Sequence, residues 1–167
     1  MDGRRTDVRY TPSPDDPSWS GDWAPATPKG VPIGWDQLGE DDFLYERFRV
    51  DVSLEVGGLF FSRRYLPVVD FALAWASAPI VLKEKPRIDM HSSVEAITYK
   101  AAREGATVTV TTNDHEGEGR IAWTELEDLV DTMIERAFTI LYGHHPELRT
   151  NPYLLDLRER LAELGLR

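Results

Sequence analysis

A chain of 167 residues with 29 acidic and 19 basic side chains, and a formal net charge of −10, has the size of a single domain. It has no cysteine, which excludes disulfides, thiolate nucleophiles and Cys-based zinc centres, and leaves the core to hold without staples. The acidic balance repels phosphate backbones, so no nucleic acid is expected as a partner, whereas a basic protein is.

The opening residues, "MDGRRTDVRYTPSPDD", contain no apolar run. The longest apolar stretch, "PVVDFALAWASAPIV", is interrupted by Asp70 and is too short to cross a bilayer. The expectation is a cytoplasmic protein that does not engage a membrane. Six of the eleven prolines precede residue 33. Proline removes backbone donors and restricts its neighbour, so residues 1–43 are expected to form an arm, extended or irregular, ahead of a single α+β domain over 44–167. Trp19, Trp23 and Trp35 set this arm apart from a solvated tail. Either it folds back and buries the rings, or it presents Trp19 and Trp23 to a partner, which also admits a homo-oligomer joined through the arm. The stretch "LGEDDF" is the expected hinge.

In the body, Phe48, Val50, Val52, Leu54 and Val56 alternate with Arg47, Arg49, Asp51, Ser53 and Glu55. That period of two predicts a half-buried strand, and Gly57-Gly58 a hairpin into "LFFS". Pro67 suits the first turn of a helix that Pro79 should stop. "IVLKEKPRIDMHSS" reads as short strand or loop, "SVEAITYK" and "ATVTVTT" as a pair joined by "AAREG", and "RIAW" as a further strand reached through "NDHEGEG".

After Trp123 a helical stripe runs through Leu126, Leu129, Val130, Met133, Ile134, Ala137, Phe138 and Leu141, with Glu125, Asp128, Asp131 and Glu135 outside. Thr124 and Glu127 have the spacing of a capping box. A last helix over 153–164 carries Leu154, Leu157, Leu161 and Leu164, and Gly165 ends it. The expected architecture is one antiparallel sheet of about four to six strands with helices packed on one face.

Candidate chemistry is sparse. In "YGHHPELRTNP" Gly143 suits a helix cap, while Pro146 and Asn151-Pro152 suit the starts of turns. Adjacent side chains diverge by about 100° on a helix, so His144 and His145 converge on one ion only in a special loop. Gly117, Gly119 and Ala122 match the spacing of a dinucleotide loop, but a strand follows them, and Glu116 and Glu118 would repel phosphate. "HEGEG" lacks the second histidine of a zinc protease, and the acids around it do not have EF-hand spacing. Asp89 and His91, two apart, would share a strand face as an acid–base pair. No nucleophile elbow or P-loop accompanies them. No cofactor or metal is expected.

The segments "VSLEVGGLFF", "ITYKAAREGATVTVTT" and "PELRTNPYLLDL", spread over most of residues 44–164, give a layout that resembles small bacterial proteins of unassigned function, including immunity-type inhibitors of polymorphic toxins. The resemblance implies neutralisation of a basic toxin by occlusion and assigns no site residues. The expected function is a non-catalytic protein-binding module. Its contact residues would be Trp19, Trp23, Asp114, Glu116, Glu118, Asp128, Asp131 and Glu135. The rival is a small hydrolase or metal-dependent enzyme with a site assembled from Asp89, His91, His115, His144 and His145.

Overall fold

Alternating apolar positions build the first sheet. In the computed structural model, which describes residues 6–94 and 96–166, Thr6–Pro12 (β1), Arg49–Val56 (β2) and Leu59–Pro67 (β3) pair antiparallel in that order. Every even-numbered position of β2 is buried, as its period of two requires. Gly57 and Gly58 take φ of 55° and 95° and close the hairpin into β3. Within the segment expected to be extended or irregular, β1 is extended but paired, from Thr6 opposite Val56 to Pro12 opposite Val50. Val8 is its one fully buried side chain.

Val68–Val81 (α1) follows β3 and continues two residues past Pro79, correcting the expected stop. Proline forfeits one bond, to the carbonyl four residues back, but burial of Ala78 and Leu82 on either side holds the last turn, and Leu82 N–H still reaches the Ala78 carbonyl at 2.9 Å.

The second sheet is Arg87–His91 (β4), Thr98–Glu104 (β5), Thr107–Thr112 (β6) and Gly119–Ala122 (β7), antiparallel in chain order. The ambiguous "RIDMH" is thus an edge strand. Most of the expected connector "AAREG" belongs to β5, the turn falling at Gly105 with φ 62°. The α+β class holds, but the strands divide into two sheets of three and four rather than one. They meet where glycine lets backbones approach. A Cβ on Gly57 would come within 2.6 Å of the Arg120 nitrogen, and one on Gly119 within 2.9 Å of the Val56 carbonyl carbon.

Trp123–His144 (α2) and Pro152–Glu163 (α3) complete the fold. The cap of α2 differs from the expected Thr124–Glu127 box: Glu125 accepts from the Ala122 N–H at 2.7 Å, because the helix begins at Trp123. All eight residues of the expected α2 stripe are buried. α2 packs on α1 and crosses β1, where the Tyr10 hydroxyl donates to the Met133 carbonyl at 3.1 Å. Burial pushes the Tyr10 phenol well above its ordinary range, against the opposing pull of Arg136. Arg136 also donates to the Val8 carbonyl on this edge strand, one way of blunting an open edge.

Phe138→Ala is expected to destabilise the protein by about 3–5 kcal/mol, the cost of emptying a buried aromatic site. Glu135→Ala, on an exposed position of the same helix, should stay within roughly 0.5 kcal/mol. Urea unfolding of both variants checks this, and equal losses would mean the helix is rotated otherwise.

Candidate functional site

The acidic residues of α2 are gathered into a groove by the ends of the other two helices. Glu127, Asp128 and Asp131 are spaced so that i,i+3 and i,i+4 neighbours share a helix face. With Pro79, Ile80 and Lys83 at the end of α1, and Leu164, Gly165 and Leu166 after α3, they line a groove of about 270 Å³. The C-terminal wall is fixed by local chemistry. Gly165 takes φ 80°, its N–H reaches the Ala162 carbonyl at 3.0 Å, and Leu166 N–H reaches the Leu161 carbonyl at 2.9 Å. This is the glycine-terminated double bond pattern of helix ends, and it turns Leu166 inward to burial.

The groove thus brings the carboxylates of Glu127, Asp128 and Asp131 and the Lys83 ammonium beside the apolar side chains of Pro79, Ile80 and Leu166. That combination suits an amphipathic cation. A lysine or arginine can lay its methylene stem on the apolar wall while its head meets the carboxylates. Glu135, exposed and one turn beyond Asp131, extends the acidic line along α2.

The hairpin between β6 and β7 carries the other expected acids, and two of them are occupied within the fold. Asp114 forms an ion pair with Arg63, accepts from Thr112 Oγ1 at 2.8 Å and lies 3.2 Å from His115 Nδ1. Glu118 accepts from Arg120 Nη2 at 2.7 Å and Nε at 2.8 Å. Glu116 is exposed, with no ion pair among the described residues.

The tryptophans of the arm pack inward. Trp19 is buried, donates from Nε1 to the Arg49 carbonyl at 2.6 Å, and meets Phe48 and His144 edge-on at 5.5 and 5.1 Å. Trp23 is half-buried, edge-on to Trp35 at 5.5 Å, with the Arg47 guanidinium 5.1 Å from its ring centre. His145 is buried among these rings, 4.7 Å from Trp35, with Nε2 2.5 Å from the Ser18 carbonyl oxygen. That acceptor places a proton on Nε2. The two adjacent histidines therefore diverge: His144 lies exposed against Trp19, and His145 clasps the arm.

The residues of the expected enzyme site come from three places in the fold. Asp89 and His91 stand exposed on edge strand β4, where His91 Nδ1 is 3.4 Å from Thr98 Oγ1. His115 belongs to the β6–β7 hairpin, and His144 and His145 to the end of α2. Among the described residues no group of three or more His, Cys, Asp or Glu side chains is placed to hold a metal ion. No described helix is long and apolar enough to cross a membrane. Sequence reading missed Glu127 as a groove residue, having assigned it to a helix cap, and missed Lys83, whose place beside α2 depends on α1 running past Pro79.

No family model matches the chain, and no curated protein or solved structure matches it.

Proposed function

We propose that this protein is a non-catalytic binding module that recognises a basic protein segment, seating a lysine or arginine in the groove of Glu127, Asp128 and Asp131. The observation that carries this reading is the groove itself, in which carboxylates and apolar side chains face one space. Charge of −10 favours encounter with such a partner over long range, and the groove supplies a place for the first contact to become specific. Within the hairpin tip, the internal pairs of Asp114 and Glu118 leave Glu116 as the stronger contributor to steering. Trp19 and Trp23 brace the arm against β2 and α2 rather than forming the contact. An immunity-type role, with the basic segment belonging to a toxin, is the particular form of this reading to test first.

The test is association kinetics with the partner captured from the native cell. For the wild-type chain the on-rate should fall as salt rises, since screening shortens to about 8 Å at physiological ionic strength. Neutralising the groove together (Glu127→Gln, Asp128→Asn, Asp131→Asn) should slow association by about tenfold or more at low salt and flatten the salt dependence. An on-rate indifferent to both salt and these changes removes the electrostatic reading. Turnover of a small substrate by the protein alone moves it to the enzyme class.

A further inference from the structure

Next to the acidic groove, and sharing Leu166 with it, α2 and α3 enclose a second cavity of about 380 Å³ with a different character. Ile134, Phe138 and Leu161 give it an apolar lining, and its volume falls within the range of about 300–1,000 Å³ usual for small-molecule sites. Its charged groups sit at two ends, and Thr139 is a further polar residue of the lining. At one end the Arg158 guanidinium lies 5.1 Å from the Phe138 ring centre and 5.7 Å from that of Tyr142. No carboxylate pairs with Arg158 among the described residues. The Tyr142 hydroxyl is itself buried without a hydrogen-bond partner. At the other end is Glu135, seven residues before Tyr142 and so about 10 Å away along the helix at 1.5 Å per residue.

We propose that this cavity binds a small apolar monocarboxylate, its anionic end on Arg158 and its body against Phe138, Ile134 and Leu161. A guanidinium beside aromatic rings keeps its N–H groups free to donate to a carboxylate, and such charge-assisted pairs are strong. Glu135 at the far end disfavours dianions and compounds charged at both ends with anions, which selects one acidic group on an apolar body. This role is independent of the acidic groove and stands or falls apart from it.

Titration calorimetry with 3-phenylpropionate and octanoate tests the assignment, with 3-phenylpropionamide as the neutral match. At least one acid should bind saturably, and for 3-phenylpropionate the amide should be weaker by about tenfold, the equivalent of one charge-assisted bond. Arg158→Gln, at an exposed position and checked for an unchanged circular dichroism spectrum, should abolish the acid's advantage over the amide. No binding of either acid at millimolar concentration overturns the proposal, and so does acid binding that Arg158→Gln leaves intact.

Discussion

Replacing Asn151 by Ala should destabilise the protein by about 3 kcal/mol or more, an effect far beyond the loss of a helix cap. Asn151 is fully buried, and its side chain makes three hydrogen bonds. Its oxygen accepts from Leu154 N–H at 3.0 Å, capping α3, a role worth about 1 kcal/mol. Its amide nitrogen donates to the Trp35 carbonyl at 2.8 Å and the Leu38 carbonyl at 2.9 Å, tying the arm to the start of the last helix. Alanine leaves both carbonyls without that donor, and an unsatisfied buried group costs about 1–3 kcal/mol. Asn151→Asp separates the two roles: aspartate caps a helix as well as asparagine does, but its carboxylate cannot donate and would face two carbonyl oxygens. The expected result is that Asp is no better than Ala in urea unfolding, with tryptophan emission reporting release of Trp35 and Trp23. A stable Asp variant would show that the cap alone matters and that the arm is held elsewhere.

What was legible in the sequence follows from how local each signal is. The stripe of α2 runs from Leu126 to Leu141 within a helix of 22 residues, and the alternation of β2 spans eight, so both could be read without knowing their neighbours. β1 could not: Val8 alone is fully buried, and the prolines after it mask a strand whose partners lie 38 to 50 residues away. The helix continuing past Pro79 depends on burial of Ala78 and Leu82, which no propensity records. The division into two sheets turns on Gly57 and Gly119, read in sequence as turn residues although Gly119 begins a strand. At the candidate site, the outward placement of Asp128 followed from helical spacing, whereas its grouping with Lys83 and Leu166 required the ends of two other helices. Likewise, nothing near Asp114 in sequence announces that Arg63 will neutralise it. The histidine pair illustrates the same limit: divergence of the two rings was predictable from backbone geometry, but the aromatic clasp around His145 was not.

Gly119→Ala is expected to cause a loss of at least about 3 kcal/mol, through steric overlap alone. The added methyl would overlap the Val56 carbonyl oxygen, lie 2.9 Å from its carbon, and lie 3.1 Å from Leu59 Cβ. The principal obstacle is backbone, so relief requires separating the β2–β3 hairpin from β7 instead of rotating a side chain. Overpacking of this kind costs typically about 1–3 kcal/mol when side chains can yield, and more when they cannot. Gly119 does not occupy the left-handed region, so its substitution reports contact without backbone strain. Gly57→Ala adds strain to contact, since its φ is 55° and its methyl would meet the Arg120 backbone. Gly105→Ala provides the converse control: φ is 62°, but nothing lies within 4 Å of the added carbon, so only the conformational cost of about 1–2 kcal/mol should appear. The expected order of unfolding midpoints is therefore Gly105→Ala above Gly119→Ala, with Gly57→Ala lowest. If Gly119→Ala matched Gly105→Ala or exceeded it in stability, the two sheets would not be held in backbone contact at this seam, and their junction would have to rest on side-chain contacts such as Phe61 of β3 against Tyr99 of β5 instead.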